Sequence, residues 1–340
     1  MLKQLLIPFL FCLAIIIGPT YNMYVHYDFS HSSDTKSYLA MSNGETNVNP
    51  VHRYRLIIPM MAKAIAYPLE KVYTKLWPHR AESLWPLQLS YFIINVLLTS
   101  FYGVICFWIL QRYTDNLLAV VIGLVAILTS RWVAYIAGLP LTDSLYLITI
   151  ALLIYSIKSQ HTVLFAITIL LGGLMKESFL LFAPLIVFAG PLTWYYRLGL
   201  VGLSLVILFG FHTLIDAMYP LQATAEVNKE TLVEIFIRHV NKTTTTFQEL
   251  ASVRGLGEIF TVMGIFTFVI MYGAINSSIR NYWKANIELY YVVFFACILV
   301  HAFISGDAAR MFYFGSILYG VMITTAASSL LVKKSNVSSS

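Results

Sequence analysis

Charge is what this 340-residue chain has least of. Asp, Glu, Lys and Arg together make up 11% of it, against about 25% in an ordinary soluble domain. That scarcity, with 59% hydrophobic residues and a mean hydropathy of +0.75, excludes a water-soluble globule, a disordered chain and a nucleic-acid-binding domain. Cysteine is also scarce. Cys12, Cys106 and Cys297 all fall inside apolar runs, which predicts buried filler and neither a disulfide nor a thiolate metal site. There is no internal repeat, which weakens a transporter reading, since many transporters are built from two related halves. An adjacent pair of acidic residues and a compact DxD are missing too, and His31, His52 and His79 lack the spacing of a zinc site. No metal motif is assigned.

What the chain does have is apolar runs. They fall at roughly 4–21, 87–110, 117–136, 140–157, 161–175, 178–190, 198–215, 257–275, 287–304 and 311–332. Read as spans of a bilayer whose core is about 30 Å thick, they predict an all-α, polytopic integral membrane protein with about ten transmembrane helices. The whole of 1–340 is then one transmembrane domain. The runs at 161–175 and 178–190 are short, and stand either as two short spans or as one broken element. Net charge is +6. With the N-terminus inside, Lys3, Arg112, Lys158, Arg197, Arg280, Lys284, Lys333 and Lys334 gather on the cytoplasmic side, opposed there by Asp115, which predicts that both termini are cytoplasmic.

That alternation puts loops 22–86 and 216–256 outside. Within the first, Leu56 to Tyr73 suits interfacial helices, cut into pieces by Pro59 and Pro68. Within the second, Lys229 to Val240 is an amphipathic helix candidate, and the run Thr243 to Thr246 suits a hinge or loop. Nearly all ionisable residues capable of chemistry then share one face. They are Asp28, Asp34, His52, Arg53, Arg55, Arg131, Asp143, Lys176, Glu177, His301, Asp307 and Arg310. A channel or carrier needs polar groups along its depth, so one-sided chemistry favours an enzyme.

Several motifs resemble those of GT-C fold membrane glycosyltransferases. They are Asp34-x-x-x-Tyr38-Leu-Ala with Gly44, Tyr54-Arg55-x-x-x-Pro59, Leu139-Pro140-Leu141-Thr142-Asp143, Gly172-Gly173-Leu174-Met175-Lys176-Glu177 and Gly306-Asp307-x-x-Arg310. The resemblance covers about 25–310. It implies transfer of a sugar from a polyprenyl- or dolichyl-phosphate donor to a glycan, lipid or protein acceptor on the outer face. Transfer needs a base for the acceptor hydroxyl and cations for the departing phosphate. Asp34 is the expected base, with Asp28 as the second catalytic carboxylate. Arg53, Arg55 and Arg310, with Lys176 in reserve, are the expected donor-phosphate ligands, because arginine grips phosphate oxygens in a fork. His52, Tyr38, Arg131, Asp143, Glu177, His301 and Asp307 complete the polar site.

Plainer roles stand beside these. Asp34 and Asp143 suit helix caps, Lys176 and Glu177 suit a pair, Asp307 and Arg310 suit an i, i+3 salt bridge, and His301 suits a core histidine. No cofactor is assigned, and a divalent cation remains an open option. Expected partners are the lipid-linked sugar, its acceptor and membrane lipid, with no nucleic acid. The location is a bacterial inner membrane with a periplasmic active face, or an endoplasmic reticulum. The alternatives to a transferase are a transporter or flippase for a lipid-linked solute and a non-catalytic GT-C-like assembly subunit.

Overall fold

The computed structural model describes residues 2–29, 31–45, 48–49, 52–81, 85–219, 232–305 and 307–337. Gly306 and residues 229–231, which belong to the expected motif and amphipathic helix, lie outside them. Every regular element among the described residues is helical. The first half of the chain forms α1 (Leu2–His26), α2 (Ser33–Ser42), α3 (Ile57–Leu76), α4 (Pro78–Ala81), α5 (Trp85–Leu110), α6 (Leu117–Leu128), α7 (Arg131–Gly138) and α8 (Asp143–Ser159). Then come α9 (Thr162–Met175), a 3₁₀ turn (Glu177–Phe182), α10 (Ala183–Phe188), α11 (Trp194–Met218) and α12 (Leu232–Leu250). The remainder is α13 (Val253–Met263), α14 (Phe266–Ile275), α15 (Ser277–Asn286), α16 (Tyr290–Ser305), α17 (Ala308–Tyr313) and α18 (Ser316–Val337).

The all-α class stands, but the count of about ten spans does not. Among the described residues, α1, α5 and α11 are long and apolar enough to cross a membrane, which supports membrane association. Treating each bent pair as one span raises the number to six at most. The apolar runs overstate the count because they do not reveal where a helix stops. The run at 117–136 is two helices meeting at 60°, with Ser130 capping the second through Trp132 N–H. The run at 257–275 bends by 96°. The 14 residues of α9 reach only about 21 Å at 1.5 Å per residue, well short of the bilayer core. Beyond α9 the chain forms a broken element, a 3₁₀ turn and then a six-residue helix.

Two further expectations change. Leu56 to Tyr73 is not cut into pieces, because α3 runs unbroken through both prolines. Pro59 sits in its first turn, where an N–H has no intrahelical partner to lose, and Pro68 faces outward. Thr243 to Thr246 is no hinge either, but lies inside α12.

α5 is the central post, packed against α1, α3 and α8, while α6 pairs with α18. The last contact is close: a Cβ on Gly123 would stand 1.9 Å from Thr324 Oγ1 and 2.8 Å from the Gly320 carbonyl oxygen. One large apolar core joins α1, α5 to α9 and α16 to α18, and buries Cys12, Cys106 and Cys297 as free thiols. A smaller core joins α2, α3 and the start of α5 to Leu139 and Leu141. The polar site lies beside this smaller core.

Candidate functional site

Five short segments bring their polar residues together. Asp34 is in the first turn of α2, and Ser32, not Asp34, holds the N-cap position. His52 to Arg55 form a turn ahead of α3, closed by Arg55 N–H donating to the His52 carbonyl at 2.9 Å. Asp143 is the first residue of α8, after Thr142 at its N-cap. Lys176 ends α9 in extended backbone and Glu177 opens the 3₁₀ turn. Asp307 precedes α17, which carries Arg310.

Gly172 permits part of this arrangement. A Cβ there would lie 2.3 Å from the Phe179 ring, so only glycine lets the 3₁₀ turn fold back onto α9 and fix Lys176 and Glu177 between them.

The side chains form a network of ion pairs. Arg310 is its hub: Nη1 reaches Asp34 Oδ2 at 3.0 Å and Asp143 Oδ2 at 3.5 Å, and Nε lies 3.0 Å from Asp307 Oδ2. Asp34 Oδ1 stands 3.3 Å from His52 Nε2. Asp143 Oδ1 accepts from Lys176 Nζ at 2.7 Å. Arg55 donates from Nε and Nη2 to Glu177 Oε2 at 3.1 and 3.0 Å, and from Nη1 to Tyr38 Oη at 2.9 Å. Tyr38 Oη also accepts from Thr142 Oγ1 at 3.2 Å.

Burial and charge work against each other at these carboxyls. Burial raises Asp34, but the His52 hydrogen bond and the Arg310 charge outweigh it and hold the group well below the usual carboxylate range. Asp143 is likewise pushed up by burial and then brought below its ordinary value by Lys176 and Arg310. At Asp307 burial prevails over Arg310, and the carboxyl is raised.

The network is close to neutral. Asp34, Asp143, Asp307 and Glu177 face Arg55, Lys176 and Arg310, with His52 as a fourth cation when protonated. Buried ions in such a lattice are tolerated because each has a partner. An incoming anion would have to displace a carboxylate to reach Arg55, Arg310 or Lys176.

Arg53 stands apart from the cations of this network. It is only 2% exposed. Its Nη2 donates to the Tyr219 carbonyl and lies 3.3 Å from Asp216 Oδ1. Its Nε and Nη1 are buried with no hydrogen-bond partner among the described residues.

The remaining expected site residues lie elsewhere. Asp28 lines a separate cavity with Tyr24, Tyr27, Phe29 and Trp85. Arg131 is exposed at the start of α7. His301 is buried, with Nε2 2.8 Å from Tyr146 Oη and Nδ1 3.1 Å from the Cys297 carbonyl. Lys176 and Glu177 do not pair with each other, whereas Asp307 and Arg310 do.

Sequence reasoning missed Asp216 and Tyr146, and gave Tyr54 no role beyond its place in the Tyr54-Arg55 motif. Tyr54 Oη donates to Asp216 at 3.1 Å and its ring stacks on His212 at 3.6 Å. A lone carboxylate closing an apolar run was the available signal for Asp216.

Among the described residues, no group of three or more His, Cys, Asp or Glu is placed to hold a metal ion. Comparison with protein-family models, with curated proteins and with solved structures gives no match to this chain. The resemblance to GT-C glycosyltransferases is therefore corrected. Among the described residues, three helices of membrane length, six at most, do not make that architecture. The assignments that depended on it fall together: the polyprenyl-phosphate-dependent sugar transferase, the flippase and the GT-C-like assembly subunit.

Proposed function

We propose that this chain is a membrane-associated protein that binds anionic lipid through the face carrying α3. The observation that carries the proposal is the outer surface of α3. Met60, Ala64, Pro68, Val72 and Leu76 recur at every fourth residue, so consecutive members share a face and the strip winds gradually around the helix. Met60, Val72 and Leu76 are exposed. Lys63, Lys71 and Lys75 are exposed as well, and Trp77 comes at the helix end with 47% exposure. The opposite side, with Ile58, Ala62 and Ala66, is buried and anchors the helix to the body of the protein.

A helix with one side fixed and the other both apolar and lysine-rich matches the chemistry of a lipid interface. Its apolar strip enters the acyl boundary, and its lysines meet acidic headgroups. Methionine adapts to an irregular lipid surface, and the terminal tryptophan suits the headgroup layer. Among the described residues, three helices are long and apolar enough to cross a membrane, and one of them, α5, packs directly against α3.

The test uses single cysteines at Val72 and at Met60, labelled with a fluorophore in the full chain reconstituted into nanodiscs. The three native thiols are buried, so labelling is selective. Quenchers carried on acyl chains should quench both labels, and more strongly when the lipid is acidic. Replacing Lys63, Lys71 and Lys75 together by Gln should remove the preference for acidic lipid. Labels quenched by iodide in water and not by lipid-borne quenchers would refute the proposal.

A further inference from the structure

We propose that the cavity between α3 and the end of α11 binds a single-chain amphiphile with a monoanionic acidic head, held by Arg53. The proposal rests on the lipid-binding reading of α3 and names a specific ligand site beside that surface. The cavity has a volume of about 240 Å³. Arg53 and Lys63 line it, as do Met41, Leu56, Met60 and Ile215.

Arg53 points to a ligand because its state is otherwise unfavourable. It is buried to 2% exposure, and two of its nitrogens lack partners among the described residues. Buried donors without acceptors are rare and destabilising. Asp216 offsets the charge only from outside, since its side chain is 49% exposed. A carboxylate or phosphate ester brings the missing acceptor oxygens to a guanidinium in a matching planar geometry. Lys63 adds a second positive charge, while Glu45 also lines the cavity. That balance favours a head with a single negative charge.

The remaining wall selects the tail. It is mostly apolar, with Ser42 and Tyr219 as its polar members, and the volume falls below the roughly 300–1,000 Å³ of pockets that enclose drug-sized ligands. It suits one alkyl chain. Access is lateral, because Leu214 and Met218 beside Ile215 are exposed on a membrane-length helix and Met60 belongs to the exposed strip of α3.

The experiment is titration of the purified full chain, in a non-ionic detergent, with three probes: laurate, dodecyltrimethylammonium and inorganic phosphate. Laurate should bind at least about tenfold more tightly than either of the others, a difference of 1.4 kcal/mol. Arg53→Gln should weaken laurate by about ten- to a hundredfold. Met60→Trp, which fills the cavity and leaves Arg53 in place, should weaken it comparably. Equal binding of the cationic probe would overturn the acidic head, and equal binding of inorganic phosphate would overturn the tail. Laurate affinity unchanged in both variants would overturn the site. Quenching of the Val72 label by lipid separates the two levels: its persistence while the laurate result fails rejects this cavity alone, and its absence rejects the lipid-binding reading beneath it.

Discussion

Arg53 and Arg55 are two residues apart in one turn, yet they occupy opposite electrostatic situations. Arg55 gives three nitrogens to Glu177 and Tyr38 and belongs to a network in which every ion has a counterpart. Arg53 is more deeply buried and leaves two nitrogens unmatched among the described residues. The difference teaches that residue type and proximity do not define a binding group. A guanidinium saturated by carboxylates joins segments of the chain, and one left short of acceptors is available to a ligand.

The largest effects should come from unbalancing the saturated network. Lys176→Met leaves the buried Asp143 with one cation fewer, and Arg55→Gln removes the cation facing Glu177, whose side chain is 27% exposed. Each should destabilise the fold by about 3–5 kcal/mol, read from denaturant unfolding in detergent. Removing both partners, in Lys176→Met with Asp143→Leu, should recover most of that loss. A double variant as unstable as the sum of its singles would mean that the pairing is not what holds these segments.

Next in size is the packing that places Lys176. Gly172→Ala drives a methyl group toward the Phe179 ring and should cost about 1–3 kcal/mol. Gly199→Ala is the contrasting change, since a Cβ there meets nothing within 4 Å and alanine suits a helix interior better by about 0.5–1 kcal/mol. Equal thermal shifts for the two would remove the close approach at Gly172 as an explanation.

Arg53→Gln should be milder than Arg55→Gln. Removing an under-satisfied guanidinium loses less, so unfolding free energy should change by under about 1 kcal/mol. A loss as large as that of Arg55→Gln would erase the distinction between the two arginines.

The smallest effect is on pH dependence. Asp34 and Asp143 titrate below their ordinary values in the folded chain. Their stabilisation is therefore complete above the usual carboxylate range and is lost only as pH falls through the lower folded values. Asp307 is raised, so it has the opposite sign: as pH falls from its folded value to its ordinary one, the folded state takes up the proton first and gains. Asp307→Asn should remove that small gain and leave the acid loss from the other two, as measured by unfolding from the mildly acidic range down to pH below the usual carboxylate values.

Legibility in the sequence depends on range. The long apolar runs at 4–21, 87–110 and 198–215 correspond to α1, α5 and α11, because uninterrupted hydropathy is a local property. Helix length within the shorter runs was not legible, since the break at Ser130 and the 3₁₀ turn after Lys176 depend on caps and packing rather than on polarity. Asp34, Asp143, Lys176, Glu177 and Arg310 stand out as scarce charges in an apolar chain. Their pairing does not, because Arg310 meets Asp34 across 276 positions and Lys176 prefers Asp143 to its neighbour Glu177. The threonines at 243 to 246 suggested a loop from their type, and α12, which packs on α16, shows tertiary contact overriding local preference.

The most direct test of lipid binding is the set of lipids that the chain keeps. The full chain, reconstituted with equal phosphatidylglycerol and phosphatidylcholine and then released into detergent, would be weighed intact by native mass spectrometry. Preferential retention of phosphatidylglycerol, reduced when Lys63, Lys71 and Lys75 are replaced by Gln, is the expected result. Equal retention of the two lipids by the wild-type chain would contradict an anionic-lipid function for α3.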